Sequence, residues 1–393
     1  MLLRNGDVIQ GGRVWKNTDV RLRGDKIDAV GKNLGAWEGE EVMDCTERYI
    51  SPGYIDIHIH GGAGGRFEGG DAECRAILDA HTKHGTTTLY PTLSAMPHGE
   101  LVDAVDRLAD FCASEKGYCN LPGIHLEGPY LNPVYAGAMH PEYLQIPAPD
   151  TYKRLLQNPL VKRISYAPEL DENLGMTKYI ADRGIIGAVA HSGARIELLR
   201  EILDIGVRLI THLYSAMPVV YRENAFRIMG IPEAAYLIDE FDVEAIADGK
   251  HLPPDLLALI YKIKGAGSTA IITDGTRASG VGDDMPGFAE MVKAAGVIVQ
   301  DGVAWTPDMQ AFSGSICSTD KLVQNMVSMA NASLPDAVKM LTETPARIMG
   351  LTTKGRIQPG LDADVVVLDR ELAVREVIVM GRRLCCDGNR CDL

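Results

Sequence analysis

From Gly53 onward the chain alternates between two hydrophobic periods. Short apolar runs recur at "YIDIHIH" (54–60), "TTTLYPTL" (86–93), "GIHLEG" (123–128), "RISYAPE" (163–169), "GAVAHS" (187–192), "RLITHL" (208–213), "VEAIADG" (243–249) and "TAIITDG" (269–275). Each has the length of a buried strand. Between most of them lie segments with apolar positions three and four apart, such as "DAECRAILDAHTKH", "PDTYKRLLQNP", "ARIELLREILDIG" and "PPDLLALIYKIKG", which predict amphipathic helices. Eight strand-then-helix units in series predict a closed (β/α)8 TIM-like barrel over residues 51–345, with a doubly wound open sheet as the alternative.

The two ends have a different texture. Residues 1–50 read as short strands broken by turns, and Asp19-Val20-Arg21-Leu22-Arg23 alternates with the period of a half-buried strand. After Thr344 strand patterns return in "GRIQPGLDADVVVLD" and "VREVIVMGRRL". Residues 1–50 and 346–393 are expected to pair as one small β-sandwich domain, with the barrel inserted between its halves. The fold class is therefore α/β.

In a (β/α)8 barrel the chemistry lies at the C-terminal ends of the strands. The polar residues at those ends are His58 and His60, Glu127, His191, His212 and Asp274. His58 and His60 are two apart, so both imidazoles stand on one face of a strand and can grip one ion. Four of the chain's 10 histidines fall at these positions, which makes coincidence a poor account of them. Glu127 closes an apolar run, and a carboxylate ending a buried strand needs a compensating charge. Imidazole and carboxylate without thiolate suit zinc, iron(II), manganese or cobalt. His125 shares the strand face of Glu127. His81 and His84 read as an exposed or capping pair on a helix, and His98 and His140 as loop residues.

Composition narrows the partners. Hydrophobic residues make up 46%, enough for a well-buried core, and the net charge is −14, which argues against nucleic acid or an anionic membrane surface. An anionic substrate would need a local cationic site. "MLLRNGDVIQGG" reads as a strand and turn, not a signal segment, and no apolar run approaches the roughly 20 residues of a membrane span. A cytoplasmic location is expected. Eight cysteines in this length do not make a disulfide framework; Cys385, Cys386 and Cys391 crowd one end with no matching second cluster, and read as thiols without a catalytic role.

The "HIH" of strand one, the histidines of strands five and six, the aspartate of strand eight and the closing "TPARIMGL…GRIQPGLDADVVVLD" resemble the amidohydrolase superfamily. Many cyclic-amide hydrolases of that superfamily bridge two metals with a strand-four lysine. "RISYAPE" has none at its C-terminal end, and Glu127 within "HLEGP" stands in on strand three. With "HLEGPYLNP", "AHSGA", "THLYSAMP", "IADGKH" and "ITDG", the chain from Asn5 to Asp369 is similar to the N-acetylglucosamine-6-phosphate deacetylase family.

The resemblance implies hydrolysis of N-acetyl-D-glucosamine 6-phosphate to glucosamine 6-phosphate and acetate, with one or two divalent metal ions (zinc, iron or manganese). It gives Glu127, His191 and His212 one metal, and His58 and His60 a second with Glu127 and Asp274. Asp274 becomes the catalytic acid/base. Arg222 and His251, with the backbone at Ser215 and Ala216, would hold the sugar phosphate. Ala138 and Phe312-Ser313-Gly314 would line the sugar and acetyl pocket. The arginine comes from a neighbouring subunit in the family, which implies a homodimer. This chain departs from the family pattern at Ser215, where asparagine is usual, at Met139 before His140, and in Arg222-Glu223-Asn224-Ala225. All three lie at the sugar and phosphate end, so N-acetylgalactosamine 6-phosphate or another N-acyl substrate stands as the alternative. A barrel that had lost catalysis would lack metal ligands, and none is missing here.

Overall fold

Eight strands run parallel in one sheet, in chain order: β1 (Tyr54–Ile59), β2 (Thr86–Ser94), β3 (Ile124–Glu127), β4 (Val161–Tyr166), β5 (Ile186–Val189), β6 (Leu209–Ile210), β7 (Asp242–Ile246) and β8 (Thr269–Ile272). The first and last meet through the backbone just past their ends: Asp274 N donates to His58 O at 2.9 Å, and His60 N donates to Gly275 O at 2.9 Å. The seam of this nearly closed barrel therefore runs through three of the strand-end residues singled out by the sequence, His58, His60 and Asp274. The structure is a computed structural model that describes residues 1–282, 287–386 and 389–390. Cys391, and with it the C-terminal cysteine grouping, lies outside them.

Helices return the chain after each of the first seven strands: α1 (Asp71–Lys83), α2 (His98–Ser114), α3 (Pro149–Leu155), α4 (Gly175–Asp182), α5 (Ile196–Ile205), α6 (Ile231–Leu237) and α7 (Pro254–Lys264). The spacing of apolar residues explains how each one lies. In α2, Leu101, Val105, Leu108 and Cys112 follow at steps of four, three and four and are buried together. They pack with Leu89, Leu93 and Leu126 of β2 and β3. Each such leucine contributes about 1.5–3 kcal/mol when fully buried. α7 opens with Pro254 at its first position and stops at Gly265, whose φ of +67° an L side chain rarely adopts. Inside the barrel, Ile55, Ile57, Tyr90, Ile246, Ala270 and Ile272 fill the space beneath the strand ends.

Both ends of the chain meet in a second, nine-stranded sheet. Its junction is the antiparallel ladder between Tyr49–Pro52 and Val365–Leu368, with Val365 opposite Pro52 and Leu368 opposite Tyr49. Tyr49–Pro52 also runs parallel to Leu2–Gln10. The sheet passes directly into β1 through Gly53, where a Cβ would stand 2.1 Å from Thr87 Oγ1, so only glycine fits.

One expectation is corrected here. The alternating stretch around Val20 belongs to a strand of 11 residues, Arg13–Arg23, and Thr18 to Leu22 are buried on both faces. Its two buried charged residues, Asp19 and Arg21, are covered and hydrogen-bonded. Arg21 donates to Glu40 at 2.9 Å and lies 4.1 Å from the Trp37 ring, while Asp19 accepts from the backbone N of Asn5 and of Leu34, each at 2.8 Å. Polar alternation at Asp19 and Arg21 reports one ion pair and backbone hydrogen bonds under a covering loop, not exposure. Among the described residues no helix is long and apolar enough to cross a membrane.

Candidate metal centre

The six strand-end residues converge on one cavity above the barrel. Glu127, last residue of β3, is the hub. Its Oε1 lies 2.9 Å from His212 Nε2 and 3.2 Å from His191 Nε2. Its Oε2 lies 3.1 Å from His60 Nε2. Asp274 Oδ1 lies 3.3 Å from His60 Nε2 and 3.5 Å from His58 Nε2, and the two Nε2 atoms are 3.2 Å apart. Two overlapping groups, His58–His60–Glu127 and Glu127–His191–His212, each bring three ligand atoms close enough for one ion.

The backbone is bent to achieve this. His191, His212 and Asp274 have φ of 45°, 26° and 46°, in the left-handed region that non-glycine residues avoid. Such strain persists where the surroundings over-determine it, and it clusters at functional sites. Each of these residues follows the end of its strand, and the left-handed step turns its side chain back over the barrel mouth. Gly314 makes the bend at Asp274 possible: its φ is +105°, and a Cβ there would lie 2.6 Å from Asp274 O.

The far sides of three of the rings are also held, whereas His212 Nδ1 is buried without a partner among the described residues. His191 Nδ1 donates to Tyr135 O at 2.7 Å, and His58 Nδ1 lies 3.3 Å from Glu244 Oε2. With Nδ1 carrying the proton, Nε2 presents a lone pair to the cavity, as metal ligation requires. Ser94 Oγ stands 3.0 Å from His60 Nδ1. Glu169, three residues past β4, braces the loop that carries His191 by accepting from Asn132 Nδ2 at 2.8 Å, Ser192 Oγ at 2.6 Å and Gly193 N at 2.6 Å.

Charge in the cluster points to a cation. Burial opposes a charge on His58 and His60, yet the carboxylates of Asp274 and Glu127 outweigh it and hold the two imidazoles up at about 9 and about 10. Burial likewise pushes Glu127 and Asp274 upward, but His58, His191 and His212 hold the first well below the usual carboxylate range, and His58 and His60 lower the second. Protons thus supply the positive charge that two buried carboxylates need. A divalent cation supplies it from one point among Nε2 and carboxylate atoms already aimed inward, and the donor set fits zinc, iron(II) or manganese.

The remaining histidines separate cleanly from this group. His125 is buried with both nitrogens engaged, by Thr92 Oγ1 at 3.0 Å and Ser165 Oγ at 2.8 Å. Of the pair expected to be exposed or capping, His84 is the C-cap of α1, whereas His81 corrects the expectation: it is fully buried on that helix, 3.1 Å from Gly61 O. His140 is exposed beside Glu142.

The residues expected at the substrate end are spread over loops. His251 is held by Asp248, with Nδ1 2.8 Å from Oδ2, and its ring meets Phe312 edge-on at 4.9 Å. Ser313 N donates to Ala304 O at 2.8 Å, which fixes the segment leading to Gly314. Ala138 follows Gly137, where a Cβ would be 3.4 Å from His191 Cε1 and 3.8 Å from the Cβ of Ala216. Ser215 N donates to His212 O at 2.9 Å, so Ser215 and Ala216 adjoin the cluster. Arg222 stands on an exposed hairpin, Tyr221–Glu223 against Phe226–Ile228, with Arg227 directly opposite. Asn224 and Ala225 at its tip have φ of 45° and 69°, the double left-handed pattern of a tight two-residue turn. The drift after the arginine is thus a hairpin, and Glu223 pairs with Arg195.

Residues 49–384 match the amidohydrolase family. The N-acetylglucosamine-6-phosphate deacetylase of Lysinibacillus sphaericus is 29% identical over 395 residues, covering 97% of this chain and 97% of its own. That of Rattus norvegicus is 30% identical over 392 residues, covering 96% of this chain and 93% of its own. The N-acetyl-D-glucosamine-6-phosphate deacetylase of Mycobacterium smegmatis, solved as a mutant in complex with N-acetyl-D-glucosamine-6-phosphate, superposes with a TM-score of 0.86 at 28% identity, covering 98% of each chain.

Proposed function

The chain belongs to the amidohydrolase family, and within it to the N-acetylglucosamine-6-phosphate deacetylases, and from that premise we propose that it hydrolyses the N-acetyl group of N-acetyl-D-glucosamine 6-phosphate to give glucosamine 6-phosphate and acetate. The observation that carries the reading is the sharing of Glu127: His191 and His212 meet one oxygen and His60 meets the other. Glu127, His191 and His212 would hold one cation; His58 and His60, with Glu127 and Asp274, would hold a second. When bound, a divalent cation acidifies water to a pKa of about 7 and polarises a carbonyl oxygen.

Asp274 does the proton work. Its side chain is 13% exposed where that of Glu127 is 3%, so it faces the opening through which substrate arrives. It takes a proton from the attacking water as the new C–O bond forms. It delivers that proton to the nitrogen as the C–N bond breaks, so that the amine leaves neutral. Its backbone is clamped between His58 O and Ser315 N, each at 2.9 Å, which keeps the carboxylate in one place through both transfers.

Substrate recognition falls to the loops. Phe312 offers an apolar wall, and His251, oriented by Asp248, offers a polar edge beside it. Ala138 and Gly314 leave room for the acetyl group, and the backbone at Ser215 and Ala216 lies next to His212. In a chain of net charge −14, the 6-phosphate requires a cation. Arg222 supplies it from an exposed arm suited to reach a partner's cavity, which makes the active species a homodimer. We read residues 51–345 as the barrel and 1–50 with 346–393 as its satellite domain, acting in amino-sugar catabolism in the cytoplasm.

The test is acetate release by purified protein supplied with zinc, iron(II) or manganese. N-acetylglucosamine 6-phosphate is expected to give the highest kcat/KM. A higher value for N-acetylgalactosamine 6-phosphate would transfer the activity to that epimer. No acetate from any N-acetyl hexosamine, phosphorylated or not, would overturn the reading.

A further inference from the structure

Directly beneath the cavity lies an ion pair that the proposed reaction does not use. Arg163 of β4 and Glu244 of β7 are both completely buried inside the barrel, which also buries the Asp56 carboxylate and the His125 ring. Burying such a pair rarely stabilises a protein over apolar residues of equal size, because desolvation consumes the Coulombic gain. Its presence in the core therefore asks for a role other than stability.

The contacts show where the pair acts. One oxygen of Glu244 takes a hydrogen bond from Arg163 Nη1, and the other, Oε2, faces His58 Nδ1 at 3.3 Å. The same Nη1 donates to Ile57 O at 3.1 Å, the carbonyl immediately before His58. Nη2 donates to Ser165 Oγ at 3.3 Å and to Thr211 Oγ1 at 3.2 Å, and these two hydroxyls are 2.9 Å apart. Ser165 in turn meets His125 Nε2, whose ring packs edge-on against His58 with centroids 4.6 Å apart. Ring, backbone and far nitrogen of His58 are thus all set by one network centred on Arg163.

We propose that Arg163 and Glu244 are positioning residues for His58: they keep the proton on Nδ1 and aim Nε2 at the cation shared with His60, Glu127 and Asp274. This rests on the reading of His58 as a metal ligand. Glu244 accepts the Nδ1 proton. Arg163 offsets the negative charge of Glu244, so that the carboxylate orients the ring without adding an uncompensated anion below the site. The guanidinium also fixes Glu244 from its other oxygen, leaving Oε2 no alternative partner. No equivalent pair serves His191, whose Nδ1 is tied to a backbone carbonyl. The dependence is therefore confined to the His58 half of the cluster.

The experiment is a double-mutant cycle read by zinc affinity, measured in competition with a chromophoric chelator on the full chain. Replacing the pair together, Arg163→Met with Glu244→Leu, removes both charges and keeps the volume, so the fold is preserved by circular dichroism. Loss of an outer partner of a ligating histidine costs about 10- to 100-fold in metal affinity, and that loss is expected for the zinc that depends on His58. In a His58→Ala background the same double change is expected to alter zinc affinity no further. If the double variant does not fold, Glu244→Asp keeps the charge beside Arg163 but withdraws it from His58 by one methylene, and the same cycle applies. An equal loss in both backgrounds would reduce the pair to a structural role, and undiminished zinc affinity in the variants would also overturn the proposal. If His58→Ala itself left zinc binding intact, the reading of His58 as a ligand would fall, and the proposal with it.

Discussion

The two halves of the proposed active site are built on different physical terms. The metal end is buried and cross-braced: Glu127, His58, His191 and His212 are each at most 5% exposed, and every one sits on a strand or two residues past its end. The proposed phosphate end is an exposed hairpin with a two-residue turn, and Phe226, directly after that turn, is 75% exposed. Geometry at the metal end is fixed by the barrel itself. On the proposed reading, geometry at the phosphate end would be completed by substrate or by a second subunit. The proposed function thus assigns the chemistry that needs sub-ångström placement to the first region, and choice of substrate to the second.

The sharpest way to break the metal end is Glu127→Gln. The amide keeps the shape but removes the charge shared by the two ligand groups. Metal content should fall to near zero and acetate release by on the order of 10⁴-fold or more, since both the acidified water and its proton acceptor's alignment go. Elemental analysis alongside the acetate assay checks this; lost activity with full metal retained would make Glu127 a base instead. Asp274→Asn comes next. It should lower kcat by about 10²- to 10⁴-fold, the usual worth of general acid–base catalysis. Metal should stay at Glu127, His191 and His212, because Asp274 is not among that group.

The phosphate end should respond in KM. Arg222→Ala removes charge-assisted hydrogen bonds worth about 1.5–3 kcal/mol each. A rise in KM of roughly 10- to 100-fold is expected, with kcat little changed and with no effect on an unphosphorylated substrate. Mixing Arg222→Ala protein with Asp274→Asn protein sharpens the point. If the arginine crosses a dimer interface, hybrid dimers regain one intact site, and the mixture turns over faster than either parent. No recovery after demonstrated subunit exchange would keep Arg222 within its own chain.

How much of this is legible in the sequence follows the same division. His58 and His60 two apart, and Glu127 closing an apolar run, announce themselves because a strand repeats every two residues and places its last side chain at the barrel mouth. The barrel's eight strands follow from the same periodicity. Arg163 and Glu244 are illegible for a physical reason. A charged residue in a strand reads as a solvent-facing position unless its counter-charge is known, and Arg163 and Glu244 are 81 residues apart. Arg21 and Asp19 mislead in the same way, since their alternation imitates a half-exposed strand while a loop covers them. The left-handed backbone at His191, His212 and Asp274 is also invisible, because nothing in those residue types calls for positive φ.

The smallest effect separates the cluster's histidines from a buried histidine outside it. His81 meets no carboxylate; Gly61 O is 3.1 Å from its Nε2, Nδ1 has no partner, and Gly62 and Gly280 leave no room for rearrangement. Burial, aided by nearby His84, pushes its pKa down to about 4, opposite in direction to His58 and His60. Between about 6.5, the unfolded value, and about 4, the unfolded chain holds a proton that the folded chain refuses. His81 therefore costs nothing above pH 6.5, and destabilises progressively as pH falls toward 4, by a total on the order of 3 kcal/mol. His81→Gln retains a donor for Gly61 O and has no proton to gain. Thermal unfolding of chelator-treated wild type and variant should therefore differ little at pH 7, and the variant should lose less stability between pH 6.5 and pH 4.5. Parallel Tm profiles would mean that His81 does not resist protonation, and that its burial differs from that of the cluster in degree, not in kind.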